Sequence, residues 1–149
     1  MIRPIEEKDL PALFTLRPQT RENPVSVERL TELGITPDSL AAALRDSQRG
    51  WLYETDAQVG GFAMGDAANH ELTVIALLPE YEGQGIGGQL LSRVEGWLAS
   101  TGCQQIWLAT SLDPALRAYG FYLRNGWRDW KIEDGQRLMR KTVAQSSES

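Results

Sequence analysis

The fold is decided by one stretch of this chain of 149 residues, Leu77-Leu78-Pro79-Glu80-Tyr81-Glu82-Gly83-Gln84-Gly85-Ile86-Gly87-Gly88-Gln89-Leu90-Leu91. An apolar strand runs into a turn with four glycines in six residues, and the turn opens an amphipathic helix. Glycine lets the backbone approach a ligand closely, because no Cβ intervenes. The free N–H groups at the start of the helix, and the positive end of its dipole, favour an anion there. The stretch therefore predicts a site for a phosphate or pyrophosphate.

Two other phosphate-binding motifs are excluded by what surrounds these glycines. Gly83, Gly85 and Gly88 match the G-x-G-x-x-G spacing of a dinucleotide-binding fold. That motif follows its strand directly and opens a series of strand–helix–strand units, whereas here Pro79 and three further residues intervene after the strand. A P-loop needs Lys followed by Ser or Thr after its last glycine, and this chain has Gln89 there.

The patterns on either side predict a mixed α/β (α+β) domain, with a largely antiparallel sheet of about seven strands flanked by helices. Residues 71–78 are almost continuously apolar, which favours a central strand buried on both faces. Thr36 and Asp113, each followed by proline, are interpreted as caps of helices that run to about Gly50 and Arg124. The other expected helices span 6–16, 26–33 and 85–101, and the other expected strands span 2–5, 51–55, 59–64, 105–110, 127–132 and 137–143.

Charge and cysteine content exclude several functional classes. Fifteen basic and twenty acidic residues give a formal net charge of -5, which disfavours a dedicated nucleic-acid binder. Cys103 is the single cysteine and His70 the single histidine, so we expect no internal disulfide, no His/Cys zinc site and a reducing cytoplasmic location. No apolar run is long enough for a signal peptide or a membrane span. We expect one domain over residues 1–144, a disordered tail over 145–149, and no metal, nucleic-acid or membrane partner.

A second segment also carries residue types suited to a chemical site, Ala118-Tyr119-Gly120-Phe121-Tyr122-Leu123-Arg124-Asn125-Gly126-Trp127. It predicts a helix that bears adjacent aromatic residues, ends at a glycine and precedes a strand that begins with tryptophan. On periodicity alone, Tyr122 is interpreted as a core aromatic with a satisfied hydroxyl.

Together the two segments resemble the GNAT superfamily of acetyl-CoA-dependent N-acetyltransferases. Residues 82–87 are similar to the family's acyl-CoA motif, (Gln/Arg)-x-x-Gly-x-(Gly/Ala), and residues 118–127 are similar to its A-x-x-(Phe/Leu)-Tyr-x-x-x-Gly-(Phe/Trp) signature. The order of elements also fits, so the resemblance covers nearly the whole chain. Two residues depart from the family pattern: Glu82 cannot donate a hydrogen bond where Gln or Arg is usual, and Ala115 stands where many members have Asn.

The resemblance implies where acetyl-CoA, the expected co-substrate, binds. In this family CoA lies in a V-shaped opening, here where the strand ending at Leu78 splays from strand 105–110. The pantetheine arm is expected to pair like an added strand with the backbone near Ala76, Leu77 and Leu78. The pyrophosphate is expected on the N–H groups of Gln84, Gly85, Gly87 and Gly88.

The resemblance also implies an acid and a base. An alkylamine is almost wholly protonated at neutral pH and must lose a proton before it attacks a thioester, and the departing thiolate needs a proton. Tyr122 matches the family's general acid. Glu71 stands where some members carry a glutamate general base, and a solvated strand end is its alternative interpretation. His70 is a weaker candidate for the base, and Cys103 is interpreted as a packing residue.

The implied function is direct transfer of the acetyl group of acetyl-CoA to a primary amine, with a small molecule as the expected acceptor. A protein or peptide N-acetyltransferase is the first alternative. A non-catalytic acyl-CoA-binding module is the second, and the presence of Tyr122 argues against it. The loop and helices from Arg17 to Leu44 should border the acceptor pocket in this fold, and a homodimer is expected at the level of the family.

Overall fold

A seven-stranded sheet forms the centre of the computed structural model, which describes residues 1–20, 26–56 and 58–143. Its strands are β1 (Ile2–Pro4), β2 (Gln48–Glu54), β3 (Val59–Asp66), β4 (Glu71–Leu77), β5 (Gln105–Thr110), β6 (Arg128–Glu133) and β7 (Gln136–Thr142). They lie in the order β1-β2-β3-β4-β5-β7-β6, and every neighbouring pair is antiparallel except β4 and β5. The predicted fold class is therefore confirmed. The tail expected at 145–149 lies outside the described residues.

Helices flank both faces of this sheet. They are α1 (Leu10–Leu16), α2 (Val27–Glu32), α3 (Pro37–Leu44), α4 (Ile86–Ser100) and α5 (Arg117–Arg124). The apolar stripe of α4 buries Val94 and Leu98 completely in one core cluster, which also contains Trp127. On the opposite face, α1 buries Leu13 against β3, where Phe62 is 3% exposed.

The parallel pair β4–β5 is open over most of its length. Glu71 and Trp107 form its registered pair, and the Trp107 backbone N–H donates to the His70 carbonyl at 3.0 Å. From there towards their C-terminal ends the two strands separate, while β5 stays paired with β7 from Gln105 to Thr110. The expected splayed pair is therefore present.

This splay also corrects the expectation that β4 is buried on both faces. The strand is central in the sheet, yet Thr73 is exposed and Val74, Ile75 and Leu77 are only half-buried. The reason is that β4 lacks a neighbouring strand along most of one edge, so apolar side chains beside the gap face an opening. Their near-continuous apolarity reflects the lining of a cleft as well as a core.

The helix predicted to run from Thr36 to about Gly50 is shorter than expected. Thr36 does cap α3, since its side chain accepts a hydrogen bond from the Ser39 N–H at 3.1 Å. The helix nevertheless ends at Leu44, because Gly50 already belongs to β2. A Cβ on Gly50 would lie 2.6 Å from the Ala63 carbonyl oxygen, so this glycine is required by close strand packing.

The cap predicted at Asp113 is also wrong. The final helix, α5, begins at Arg117. Asp113 instead forms a local turn, in which its carboxylate accepts a hydrogen bond from the Ala115 N–H at 2.9 Å. Short polar side chains form such turns as readily as they cap helices. The Asp-Pro pair is therefore compatible with either a turn or a helix cap.

Candidate active site

The splay between β4 and β5 opens into a cavity of about 470 Å³, which we name the cleft. Both strands line it, and Gly87 in the first turn of α4 lies at its wall. Tyr122 of α5 lines it as well, so one continuous opening joins the glycine turn to the tyrosine. The remaining lining includes Leu72, Thr73, Val74, Ile75, Ala76, Leu77, Leu108, Ala109, Thr110 and Phe121.

The glycine turn adopts the backbone that its sequence predicts. Gly83 and Gly85 have φ angles of +76° and +83°, in the left-handed region that favours glycine. Gly85 is the N-cap of α4, so the N–H groups that follow it have no partner within the helix. Gly87 packs closely against α5, since a Cβ there would lie 3.4 Å from the Phe121 ring. Of the four residues predicted to bind pyrophosphate, Gly87 lines the cleft, while Gln84, Gly85 and Gly88 are its close neighbours in sequence and are not part of the lining.

The exposed edge of β4 supplies backbone groups to the cleft. The Leu78 N–H donates to the Gly60 carbonyl at 2.9 Å, so it is directed towards β3. Backbone groups of successive residues alternate between the two edges of a strand. By that alternation Ala76 also faces β3, so of the expected residues Ala76, Leu77 and Leu78 only Leu77 presents its N–H and C=O groups to the open side. Ile75 does so as well. Sequence reasoning did not single out Ile75, because no pattern in the chain fixes which edge a residue faces.

Tyr122 belongs to the core and to the cleft at once. It is 7% exposed, and its ring makes edge contacts with Phe121 and Trp127, at centroid distances of 5.5 and 6.1 Å. Burial raises the pKa of the Tyr122 phenol, so the hydroxyl stays protonated. Within the described residues that hydroxyl has no hydrogen-bond partner, in contrast to the satisfied hydroxyl of the core interpretation. A protonated donor therefore lies at the cleft wall.

Glu71 lies at the base of the splay, where β4 and β5 still pair. Burial, and secondarily the neighbouring Asp66 carboxylate on β3, raises the pKa of the half-buried Glu71. A carboxylate with a raised pKa is a stronger base near neutral pH than an ordinary surface glutamate. This environment differs from the solvated strand end that was the alternative interpretation.

A second cavity, of about 330 Å³, lies beside Glu71, and we name it the apolar pocket. Glu71 and Gln48 supply polar groups to it, together with Arg17 and Thr73. The rest of its lining is hydrophobic and comes from α1, α2, α3 and the sheet: Leu13, Phe14, Leu30, Ile35, Leu40, Phe62, Met64 and Val74. From the segment Arg17 to Leu44, the described residues Arg17, Leu30, Ile35 and Leu40 line this pocket.

The cleft and the apolar pocket adjoin. Arg17, Thr73 and Val74 line both of them. One cavity contains a protonated phenol and the other a carboxylate of raised pKa, on either side of this shared wall. Two molecules could therefore meet there, with an acid on one side and a base on the other. Sequence reasoning missed Thr73 as a site residue and placed Arg17 only at the start of the segment bordering the acceptor pocket, since neither belongs to a motif.

The departure at Glu82 is accompanied by a nearby arginine. Glu82 Oε1 lies 3.5 Å from Arg117 Nε, and both residues line the cleft. The Glu82 side chain is 17% exposed and that of Arg117 is 51% exposed. The carboxylate that stands where the motif has Gln or Arg is therefore paired with a cation from the first turn of α5.

His70, the weaker candidate for the base, lines neither cavity, and neither does Cys103, which was interpreted as a packing residue. His70 is exposed in a turn with φ of 59°. Cys103 is 3% exposed in the core cluster beneath α4. Over the ranges that the structure describes, no helix is long and apolar enough to cross a membrane, and no three His, Cys, Asp or Glu side chains are grouped to hold a metal ion.

A family model identifies the class of protein that this fold and site define. The model of the acetyltransferase (GNAT) family matches residues 10–127, so the chain belongs to the GNAT family and is an acetyl-CoA-dependent acetyltransferase. Uncharacterized N-acetyltransferases of Mycobacterium tuberculosis and Mycobacterium bovis are 28% identical to it over 109 residues, which is 70% of this chain and 69% of theirs.

Solved structures show the same fold. The PaiA N-acetyltransferase from Thermoplasma acidophilum, solved in complex with coenzyme A, superposes with a TM-score of 0.81 at 20% identity, covering 95% of this chain and 98% of that one. The ribosomal-protein-S18-alanine N-acetyltransferase from Escherichia coli superposes with a TM-score of 0.74 at 21% identity, covering 99% and 96%. At these identities the likeness concerns the fold.

Proposed function

We propose that the protein transfers the acetyl group of acetyl-CoA directly to a primary amine of a small molecule held in the apolar pocket. The observation that carries this proposal is the shared wall at Thr73 and Val74, which joins a cleft containing Tyr122 to a pocket containing Glu71. A cytoplasmic location forms part of the proposal and rests on the single unpaired cysteine.

Acetyl-CoA is proposed to occupy the cleft. Its pantetheine amides would pair with the free edge of β4 at Ile75 and Leu77, as an added strand does. Its pyrophosphate would accept hydrogen bonds from the N–H groups of the turn and first helical residues, Gln84, Gly85, Gly87 and Gly88. Arg117 would lie close enough to the cleft wall to contribute a cation.

Glu82→Gln is expected to tighten acetyl-CoA binding about 3- to 10-fold, because it removes a carboxylate near the phosphates and releases Arg117 from its ion pair. Glu82→Arg should bind acetyl-CoA at least as well as the wild-type protein. Isothermal titration with acetyl-CoA measures both, and the gain from Glu82→Gln should shrink in high salt. Glu80→Gln, which changes an exposed carboxylate two residues away, is the control. A large loss of affinity in the Glu82 variants would show that the motif is aligned incorrectly.

The chemistry needs three proton transfers. Glu71 accepts a proton from the acceptor's ammonium group, directly or through one water, and the free amine attacks the thioester carbonyl carbon. A C–N bond forms, the C–S bond breaks, and Tyr122 donates its proton to the departing sulfur. The attacking nitrogen gives up a further proton to the Tyr122 phenolate, which restores the phenol, and Glu71 releases its proton to solvent. The products are a neutral amide and the CoA thiol. No covalent acetyl-enzyme is needed, since both substrates are bound together.

Glu71→Gln is expected to lower turnover by about 10²- to 10⁴-fold through loss of the base. In the wild-type protein kcat/KM should fall as pH drops through the Glu71 pKa, which burial places above that of an ordinary glutamate. The groups facing Glu71 are Asp66, which adds to this rise, and Arg17 on the same pocket. Measuring kcat/KM as a function of pH tests this, because the Glu71→Gln variant should not show the fall in kcat/KM at low pH.

The same substitution is expected to stabilise the protein at alkaline pH. A raised pKa means that the folded state holds the Glu71 proton more tightly than the unfolded state, so stability falls as pH rises through that pKa. Neutral Gln removes this penalty, and Tm should rise at about pH 8 but not at about pH 3, where both states are protonated. Unchanged Tm together with unchanged turnover would identify Glu71 as a solvated strand end.

Acceptor size is tested by release of the CoA thiol in the presence of a panel of amines. The volume of about 330 Å³ favours small molecules over a folded protein surface. Small primary amines should therefore release thiol and be recovered as amides. Turnover of peptides alone would favour the protein acetyltransferase alternative. Tight acetyl-CoA binding with no turnover of any amine would favour the binding module.

A further inference from the structure

Arg17 carries a charge for which the described residues provide no counterion. It is half-buried where α1 ends, and its Nε is completely buried without a hydrogen-bond partner. No ion pair or other hydrogen bond joins its side chain to a residue in the described ranges. Burial lowers the pKa of the Arg17 guanidinium, as expected for a cation that loses water and gains no anion.

Other partly buried arginines are compensated. Arg3 is held between Asp9 and Glu54, with N–O distances of 2.8 and 2.7 Å. Arg137 also has a buried Nε without a partner, but its Nη1 reaches Asp129 at 2.9 Å. A half-buried cation without a counterion costs free energy, so among the described residues Arg17 is the partly buried arginine that a bound anion would stabilise.

The position of Arg17 indicates which substrate brings that anion. It lines the cleft and the apolar pocket together with Thr73 and Val74, near the Glu71 end of β4. Leu77, which leads into the glycine turn, is four residues beyond Thr73, or about 13 Å along an extended strand. The phosphate-binding turn therefore lies at the other end of β4, and the anion near Arg17 belongs to the acceptor.

We propose that the acceptor is an amine that also carries a carboxylate and an apolar side chain, as a hydrophobic amino acid does, and that Arg17 binds the carboxylate. Planar guanidinium groups match carboxylates in geometry. Glu71 would face the amine of the acceptor. Hydrophobic residues of the apolar pocket, Leu13 and Met64 among them, would surround the acceptor's side chain. This inference rests on the proposed function and narrows its substrate class.

Three matched compounds test the inference: leucine, leucinamide and 3-methylbutylamine, which is leucine without its carboxylate. Thiol release should give kcat/KM for leucine at least about tenfold above both others. The amine of leucinamide is less basic than that of leucine and is more often unprotonated near neutral pH. This difference favours turnover of leucinamide, so it works against the expected preference for leucine. Phenylalanine, phenylalaninamide and 2-phenylethylamine provide a second matched set.

Arg17→Gln should lower kcat/KM for leucine by about 10- to 100-fold, chiefly by raising KM. The ratio of kcat/KM for leucine to that for 3-methylbutylamine should then be close to one. Arg17→Lys should keep part of that preference, because it retains the charge without the planar fork. Arg93→Gln, on the exposed side of α4, is the control. Thermal melting and acetyl-CoA titration verify that each variant folds and binds the donor. If Arg17→Gln does not fold, the wild-type panel and Arg17→Lys still decide.

Several outcomes would overturn the inference. If 3-methylbutylamine and leucinamide turn over as well as leucine, the proposed function stands and Arg17 does not select a carboxylate. An equal loss of kcat with all three compounds in Arg17→Gln would place the guanidinium on the reacting carbonyl instead. If acetyl-CoA binds but no compound of either set releases thiol, the inferred acceptor class is wrong, and the wider amine panel separately decides the proposed function.

Discussion

Tyr122→Phe is expected to lower kcat by about 10²- to 10⁴-fold, or about 3–5 kcal/mol in the barrier, because the departing thiolate loses its proton donor. The ring contacts with Phe121 and Trp127 remain, so packing is retained. Acetyl-CoA affinity should change little, since the lost interaction forms mainly in the transition state. Steady-state thiol release with a working acceptor, beside calorimetry with acetyl-CoA, measures both quantities.

Tyr119→Phe is the matched control for this prediction. Tyr119 lies on the same helix, and its hydroxyl donates to Asp129 at 3.1 Å, outside the cleft lining. Its turnover should stay close to that of the wild-type protein. If Tyr122 is only a core aromatic, Tyr122→Phe will spare turnover. A loss under about tenfold would indicate that a water molecule donates the proton and that Tyr122 has only a positioning role.

Gly87→Val is expected to abolish acetyl-CoA binding, with a loss of more than about 100-fold, because the proposed pyrophosphate site requires close contact with the backbone of this turn. The new side chain would enter the cleft wall, where even a Cβ lies 3.4 Å from the Phe121 ring. Gly85→Val should also abolish binding. Its φ of +83° adds backbone strain, so Gly87 is the cleaner test. Calorimetry measures affinity and circular dichroism measures the fold.

Gly96→Ala is the control for the glycine turn, because this glycine lies inside α4 and an added Cβ would point into open space. The variant should bind acetyl-CoA normally and be more stable by about 0.5–1 kcal/mol, as expected for alanine in a helix. Unchanged acetyl-CoA affinity in Gly87→Val would mean that the donor binds elsewhere in the molecule.

Local patterns predicted the elements around the glycine turn well. Strand 105–110 has the predicted bounds, and α4 differs from its predicted span by a single residue at each end. Such segments follow their own periodicity and glycine stops, and few distant contacts compete with them. Gly50 and Asp113 were misread, because close approach to β3 and a local turn both depend on surroundings that the sequence does not display.

The two cavities also differ in how far the sequence could predict them. The cleft could be expected from the family resemblance, since its glycine turn and Tyr122 are contained in motifs. The apolar pocket could not, because its lining is gathered from positions as far apart as Leu13 and Val74. That the described residues offer Arg17 no counterion is likewise a property of the assembled structure, and no spacing along the chain indicates it.

In the proposed function, the acetyl donor and the amine acceptor occupy the cleft and the apolar pocket at the same time. The most direct measurement is the initial-rate pattern of thiol release when acetyl-CoA and a working amine are both varied. Simultaneous occupancy predicts intersecting double-reciprocal lines, with no thiol released before the amine is added. Parallel lines, together with an acetylated enzyme detected by intact mass spectrometry, would contradict it.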